Sequence, residues 1–193
     1  QNFFCPMAST NPMITGTFLD EITHDIPAQN WSREEWSKDF KAMKSIGIDT
    51  VILIRAGYQE KATFESKVLA KEHPFLIVQE DLVRLYLELA EENDMKFFFG
   101  TYDSGKYWHA GEARREVQIN KDFTSEVWDR YGDYKAFQGW YISHEINSFD
   151  ETVMDVYEEL ALHLRSLKNL PILISPYVRG RKQFADAISI EEH

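Results

Sequence analysis

The residues able to do chemistry gather, mostly in pairs, at one end of successive apolar runs. Asp20 and Glu21 follow the first run, Arg55 and Tyr58 the second, and Tyr102 and Asp103 the third. His144 and Glu145 close the fourth, and Tyr177 and Arg179 lie at the end of the fifth. The opposite ends offer Met13, Thr50, Lys96, Phe137 and Pro171, which read as packing and solubility residues. In a barrel of parallel strands, catalytic groups collect where strands end and the following loops begin. The asymmetry is the main functional signal in the chain.

Glu145 is the strongest single candidate. It closes Gly139-Trp140-Tyr141-Ile142-Ser143-His144-Glu145. Strand alternation puts it on one face with Ser143 and Tyr141, and His144 on the other with Ile142 and Trp140. A glutamate desolvated beside aromatic bulk can donate a proton near neutral pH. The alternative is a salt-bridged glutamate that caps the next helix. Asp20, Glu21 and Asp103 are supporting acids, suited to sugar hydroxyls or, equally, to solvating loops and capping helix N-termini. Arg55 follows four aliphatic residues, so its guanidinium must emerge at the strand end, where it orients a carboxylate or forms a structural ion pair. The loop Tyr102-Asp103-Ser104-Gly105-Lys106-Tyr107-Trp108-His109 supplies rings and donors that suit a pyranose, or that form a lid packed on a rim. Within it, Trp108 is the aromatic platform candidate, and Tyr58 and Tyr177 offer further rings. Trp128 and Trp140 read as packing.

These positions require a repeating scaffold. The apolar runs are Met13–Asp20, Thr50–Tyr58, Lys96–Asp103, Phe137–Glu145 and Pro171–Tyr177, and a segment of helical periodicity lies between each successive pair. Runs such as Val51-Ile52-Leu53-Ile54 and Phe97-Phe98-Phe99 are apolar on both faces, the pattern of a parallel sheet covered on both sides. Ser32 with Glu35 forms a capping box, followed by a stripe of Trp36, Phe40, Met43 and Ile46 and a stop at Gly47. Leu82, Val83, Tyr86, Leu89 and Ala90 mark the second helix. Phe123, Val127, Trp128 and Tyr131, closed by Gly132, mark the third. Ser148 with Glu151 makes another capping box ahead of Val153, Val156, Tyr157, Leu160 and Leu164. The reading is an α/β fold of the (β/α)8 TIM-barrel type with about five βα units present, a partial barrel. A five-stranded flavodoxin-like sheet is the alternative.

Composition removes other classes. The chain has 193 residues, and 21 Lys and Arg against 32 Asp and Glu give a formal charge of −11. No basic stripe exists to release counterions from nucleic acid. Cys5 is the one cysteine, so an intrachain disulfide and Cys-rich zinc motifs are excluded. No apolar run reaches the roughly 18 residues of a membrane span. No GxGxxG follows the first strand, Ser104-Gly105-Lys106 lacks the upstream glycine of a P-loop, and the histidines show no HExxH spacing. Ser143 lacks the GxSxG elbow, and no lysine sits at a strand end as a Schiff-base aldolase requires. Asn30-Trp31-Ser32 is a formal glycosylation sequon, which the helix entry explains equally well. No motif calls for a cofactor or a metal. Residues 1–12 read as an N-terminal lead-in and 13–193 as the barrel domain, incomplete at its C-terminus.

Four ordered stretches then carry a resemblance. Ile14-Thr15-Gly16-Thr17-Phe18-Leu19-Asp20-Glu21, Gly47-Ile48-Asp49-Thr50-Val51-Ile52-Leu53, Phe97 through Gly105, and Gly139 through Glu145 resemble the domain-of-unknown-function 4434 family. Its members are mostly Bacteroides-type exported proteins that look like glycoside hydrolases on a TIM barrel. The resemblance implies an oligo- or polysaccharide partner, an extracytoplasmic location with any signal already removed, and Glu145 as acid/base. In the similar retaining glycosidase clan the nucleophile is a glutamate at the seventh strand, which has no counterpart here. Asn usually precedes the acid in that clan, where this chain has His144. Retaining hydrolysis needs carboxyl groups roughly 5 to 5.5 Å apart, so this segment alone is expected to lack full activity. Glu145 would protonate the glycosidic oxygen. Asp20, Glu21, Arg55, Tyr58, Tyr102, Asp103, Trp108, His144 and Tyr177 would bind the sugar. A non-catalytic carbohydrate-binding barrel is the rival, and a scaffold protein a third possibility. Open sheet edges would also invite association.

Overall fold

The computed structural model describes residues 13–23, 30–108, 110–146 and 151–176. The chain enters as strand β1 (Gly16–Leu19) and helix α1 (Arg33–Ser45). At the start of α1 the Ser32 hydroxyl accepts the Glu35 N–H while Glu35 caps the Ser32 N–H, as the sequence predicts. Trp36, Phe40 and Met43 are buried, but Ile46 is 71% exposed. The helix ends at Ser45, and Gly47, at φ 97°, turns the chain before Ile46 can reach the core.

Next come β2 (Thr50–Leu53), β3 (Gly57–Tyr58), β4 (Lys61–Ala62), the single turn α2 (Leu69–Glu72) and α3 (Leu82–Glu92). Asp81 caps α3 by accepting the Arg84 N–H. Strands β5 (Lys96–Gly100) and β6 (Tyr102–Asp103), helix α4 (Ala113–Tyr131), β7 (Phe137–Ile146), α5 (Glu151–Leu167) and β8 (Ile172–Pro176) follow. The capping serine expected before α5, Ser148, lies outside the described residues, as does the whole N-terminal lead-in, residues 1–12.

Two predicted long strands, Thr50–Tyr58 and Lys96–Asp103, are each broken in two. Their first halves join a five-stranded sheet of order β1-β2-β5-β7-β8, parallel throughout. Their second halves form a separate sheet, β4-β3-β6, in which β3 runs parallel to β6 and antiparallel to β4. The close approach of β5 to the end of β2 requires glycine. A Cβ at Gly100 would collide with the carbonyl oxygens of Leu53 and Ile54.

The large sheet curls into a half-barrel with helices between its strands, an architecture of the TIM-barrel type rather than a flavodoxin-like sheet. Its convex face carries Val51, Leu53, Phe97, Phe99, Trp140 and Ile142, which share one buried core with the helix stripes. Truncating a fully buried ring there, such as Phe40, would cost about 3–5 kcal/mol. The concave face carries a smaller cluster of Ile52, Phe98 and Tyr141, with Phe18 set edge-on to Tyr141 at 5.2 Å. β1 and β8 are the outer strands of this sheet. Among the described residues, no helix is long and apolar enough to cross a membrane.

Candidate active site at the strand ends

The small sheet sits beyond the C-terminal ends of β2 and β5, and its pairing gathers several predicted residues. Gly57 opposes Tyr102 and Tyr58 opposes Asp103. Arg55 Nη1 lies 3.4 Å from Asp103 Oδ2, and the guanidinium stands 5.0 Å from the centre of the Tyr58 ring. Asp103 Oδ1 accepts the Gly105 N–H at 2.7 Å. Arg55 Nε is buried and has no partner. The pair is mostly buried, so removing either partner would leave a desolvated charge behind, unlike the loss of an exposed ion pair.

Behind this pair runs a polar row on α4. Glu116, Asn120 and Thr124 are one turn apart and buried, on the helix face that meets the strand ends. Asn120 clamps the Tyr102 backbone, accepting its N–H at 2.8 Å and donating to its carbonyl at 2.9 Å. Glu116 Oε1 accepts the Ser104 N–H at 2.8 Å and meets His144 Nε2 at 3.0 Å, while Oε2 accepts the Ser104 hydroxyl at 2.5 Å. Burial pushes the Glu116 carboxyl up. The hydrogen bonds and charge attraction of His144, with those of Ser104, outweigh that and hold it below the ordinary value.

His144 therefore faces outward from the sheet, as alternation predicts. Its Nε2 is also 3.8 Å from Asp103 Oδ1. Trp108 covers the imidazole at 4.6 Å, and Tyr157 of α5 meets Trp108 edge-on. The Tyr157 hydroxyl donates to the His144 carbonyl. Glu116 carries no signal in the sequence, where it is one more helix acid after Arg114 and Arg115.

Glu145, the next residue, is exposed at the end of β7. The two residues that share its alternation face are both fixed. Tyr141 lies in the concave cluster and donates to Ser175 Oγ on β8 at 3.0 Å. Ser143 donates its N–H to Thr101 Oγ1 at 3.0 Å, and its hydroxyl reaches the Thr101 carbonyl at 3.1 Å.

The other predicted residues are placed differently. Tyr102 is fully buried against Phe123, with its hydroxyl 2.7 Å from His73 Nε2. Asp20 accepts the Thr23 N–H in the turn after β1. Glu21 lines a separate cavity of about 90 Å³ with Ile22, Lys61, Ala62, Ile77, Gln79 and Leu82. Its Oε1 accepts the Asn30 N–H at 2.6 Å, and its Oε2 is buried without a partner. Burial, reinforced by the charges of Glu80 and Asp20 and opposed by the Asn30 N–H, raises its carboxyl to about 7. Tyr177 lies outside the described residues.

Asp103, Glu116 and His144 bring three ligand atoms within 4.8 Å of one another. Glu116 already spends both oxygens on three donors, and Arg55 neutralises Asp103. In this structure the three groups are joined by hydrogen bonds and close charge contacts. Arg55, Tyr58, Asp103, Trp108 and His144 thus form one continuous cluster with Glu116 beneath it.

Comparison with known proteins agrees with this architecture. The family described as Domain of unknown function (DUF4434) matches residues 14–193. Among solved structures, the chain is similar to a candidate alpha-L-fucosidase from Bacteroides thetaiotaomicron, at 48% identity and a TM-score of 0.84. That match covers 93% of this chain and 56% of the other, so the chain spans little more than half of that protein's length. Alpha-L-fucosidase isoenzyme 2 from Paenibacillus thiaminolyticus has the same fold, at 13% identity and a TM-score of 0.58, over 89% of this chain and 34% of that one. So does a glycoside hydrolase family 5 structure from Bacteroides vulgatus, at 16% identity and a TM-score of 0.55, over 78% and 33%. No curated protein matches the sequence. With residues 14–193 matched by that family, the chain belongs to DUF4434, and it has a glycoside-hydrolase-like barrel fold.

Proposed function

We propose that this chain carries the acid-bearing part of a barrel that hydrolyses glycosidic bonds, with Glu145 as the proton donor. The observation that supports it is the position of Glu145. It is exposed at the C-terminal end of β7 and shares its alternation face with Tyr141 of the concave cluster. A carboxyl group there can protonate a leaving-group oxygen as the bond breaks, which spares the departing sugar an unstable alkoxide. Arg55, Tyr58, Asp103 and Trp108 supply charge, hydrogen bonds and flat rings to hold the sugar. Asp20 contributes from the loop after the first strand, Glu21 is buried in a separate cavity lined by none of these residues, and Tyr102 and His144 hold the rim from behind. The substrate is an oligo- or polysaccharide outside the cytoplasm. Fucosides head the list, because the relative at 48% identity is described as a candidate alpha-L-fucosidase.

The test is sugar release from a glycan panel that includes aryl α-L-fucosides, by the natural full-length protein and by its Glu145→Gln variant. Release by the parent, reduced on the order of 100-fold or more in the variant, is the expected result. No release by either would leave glycan binding without cleavage as the reading of this rim.

A further inference from the structure

Glu116 and His144 have no place in a direct account of sugar contact, because both are buried. The reading of Glu145 as the proton donor gives them one. We infer that Glu116 and His144 form a positioning pair that fixes the aim of Glu145 from the outer side of the sheet and ties it to Asp103.

An ionised carboxylate can only accept hydrogen bonds, so His144 carries a proton on Nε2, as assigned from the hydrogen-bond network. That proton points at Glu116 at 3.0 Å and lies 3.8 Å from Asp103. The imidazole is therefore held between two acids, one from α4 and one from β6. Arg55 neutralises the second acid from the end of β2, Trp108 covers the ring, and Tyr157 of α5 grips the carbonyl of the same residue. His144 can neither rotate its ring nor tilt its peptide without breaking one of these contacts. Because that peptide leads directly into Glu145, its orientation sets the direction in which the Glu145 side chain leaves the strand.

The experiment uses the natural full-length protein with Glu116→Gln, which keeps the shape but removes the charge. Tyr157→Phe, which releases only the His144 carbonyl, serves if the first variant does not fold. On a glycan that the parent cleaves, kcat is expected to fall on the order of 10- to 100-fold with KM within about two-fold, and the pH profile to move. NMR couplings about the Glu145 χ1 angle, measured without any substrate, are expected to move towards rotamer averaging in the variant. Unchanged kcat, pH profile and couplings, with only a lower melting temperature, would overturn the inference. If the parent cleaves nothing, the hydrolase reading fails by itself. The Glu145 couplings then decide the pair alone, averaging supporting it and unchanged values overturning it.

Discussion

Arg55 and Asp103 meet at 3.4 Å across the β3–β6 pairing, joining the ends of two strands that neighbour each other in the large sheet. The contact makes one rim out of two loops. Arg55→Lys keeps the charge but loses the planar guanidinium that reaches both Asp103 and the Tyr58 ring. It should lower stability by about 0.5–1 kcal/mol in urea unfolding and raise KM for glycan more than it lowers kcat.

Glu21 gives a pH dependence of opposite sense to most carboxylates. Its folded value of about 7 exceeds the ordinary 4.5, so the folded protein holds this proton more tightly than the unfolded chain does. Its contribution is fully present below pH 4.5 and is lost as pH rises towards 7, a change of roughly 3 kcal/mol. Glu21→Gln should therefore gain stability relative to the parent between pH 4.5 and 8. Urea midpoints across that range check it, and a constant gap between the two proteins would contradict it.

Glu116 should act in the other direction. Its carboxyl is held below the ordinary value, so its contribution is present above about pH 4.5 and is lost as pH falls through the lowered folded value. Glu116→Leu leaves three donors unpaired and should cost about 3 kcal/mol or more at pH 7. The difference from the parent should narrow under acid, as measured by thermal unfolding from pH 7 down to pH 3.

Gly100→Ala should be among the most damaging small substitutions. The added Cβ would strike backbone carbonyls rather than a side chain that could move, so relief requires β5 to shift away from β2. A loss of at least about 2–3 kcal/mol is expected in urea unfolding. Gly111→Ala serves as the comparison. No atom lies within 4 Å of its new Cβ and only a φ of +75° opposes it, so about 1 kcal/mol is expected.

The alternation of strands and helices was legible because apolar runs on both faces, capping boxes and stops are local signals. So was the division of β7 into an inner face with Tyr141 and an outer face with His144. The rim was not, because its causes are tertiary. Nothing local in Thr50–Tyr58 reveals that the strand must end at Leu53, where Gly100 presses against the Leu53 and Ile54 carbonyls and Ala56 donates to the Gly100 carbonyl. Tyr102 looks like a rim aromatic until Asn120 clamps its backbone with the ring in the core. Glu116 is silent in the sequence because its partners Ser104 and His144 lie 12 and 28 residues away.

The claim that Glu145 donates a proton is tested most directly by leaving-group dependence. kcat/KM of the parent and of Glu145→Gln would be compared on a natural glycoside and on its dinitrophenyl counterpart, whose leaving group departs without protonation. The account predicts a fall on the order of 100-fold or more for the natural glycoside and little change for the activated one. Equal falls on both substrates, or none on either, would contradict it.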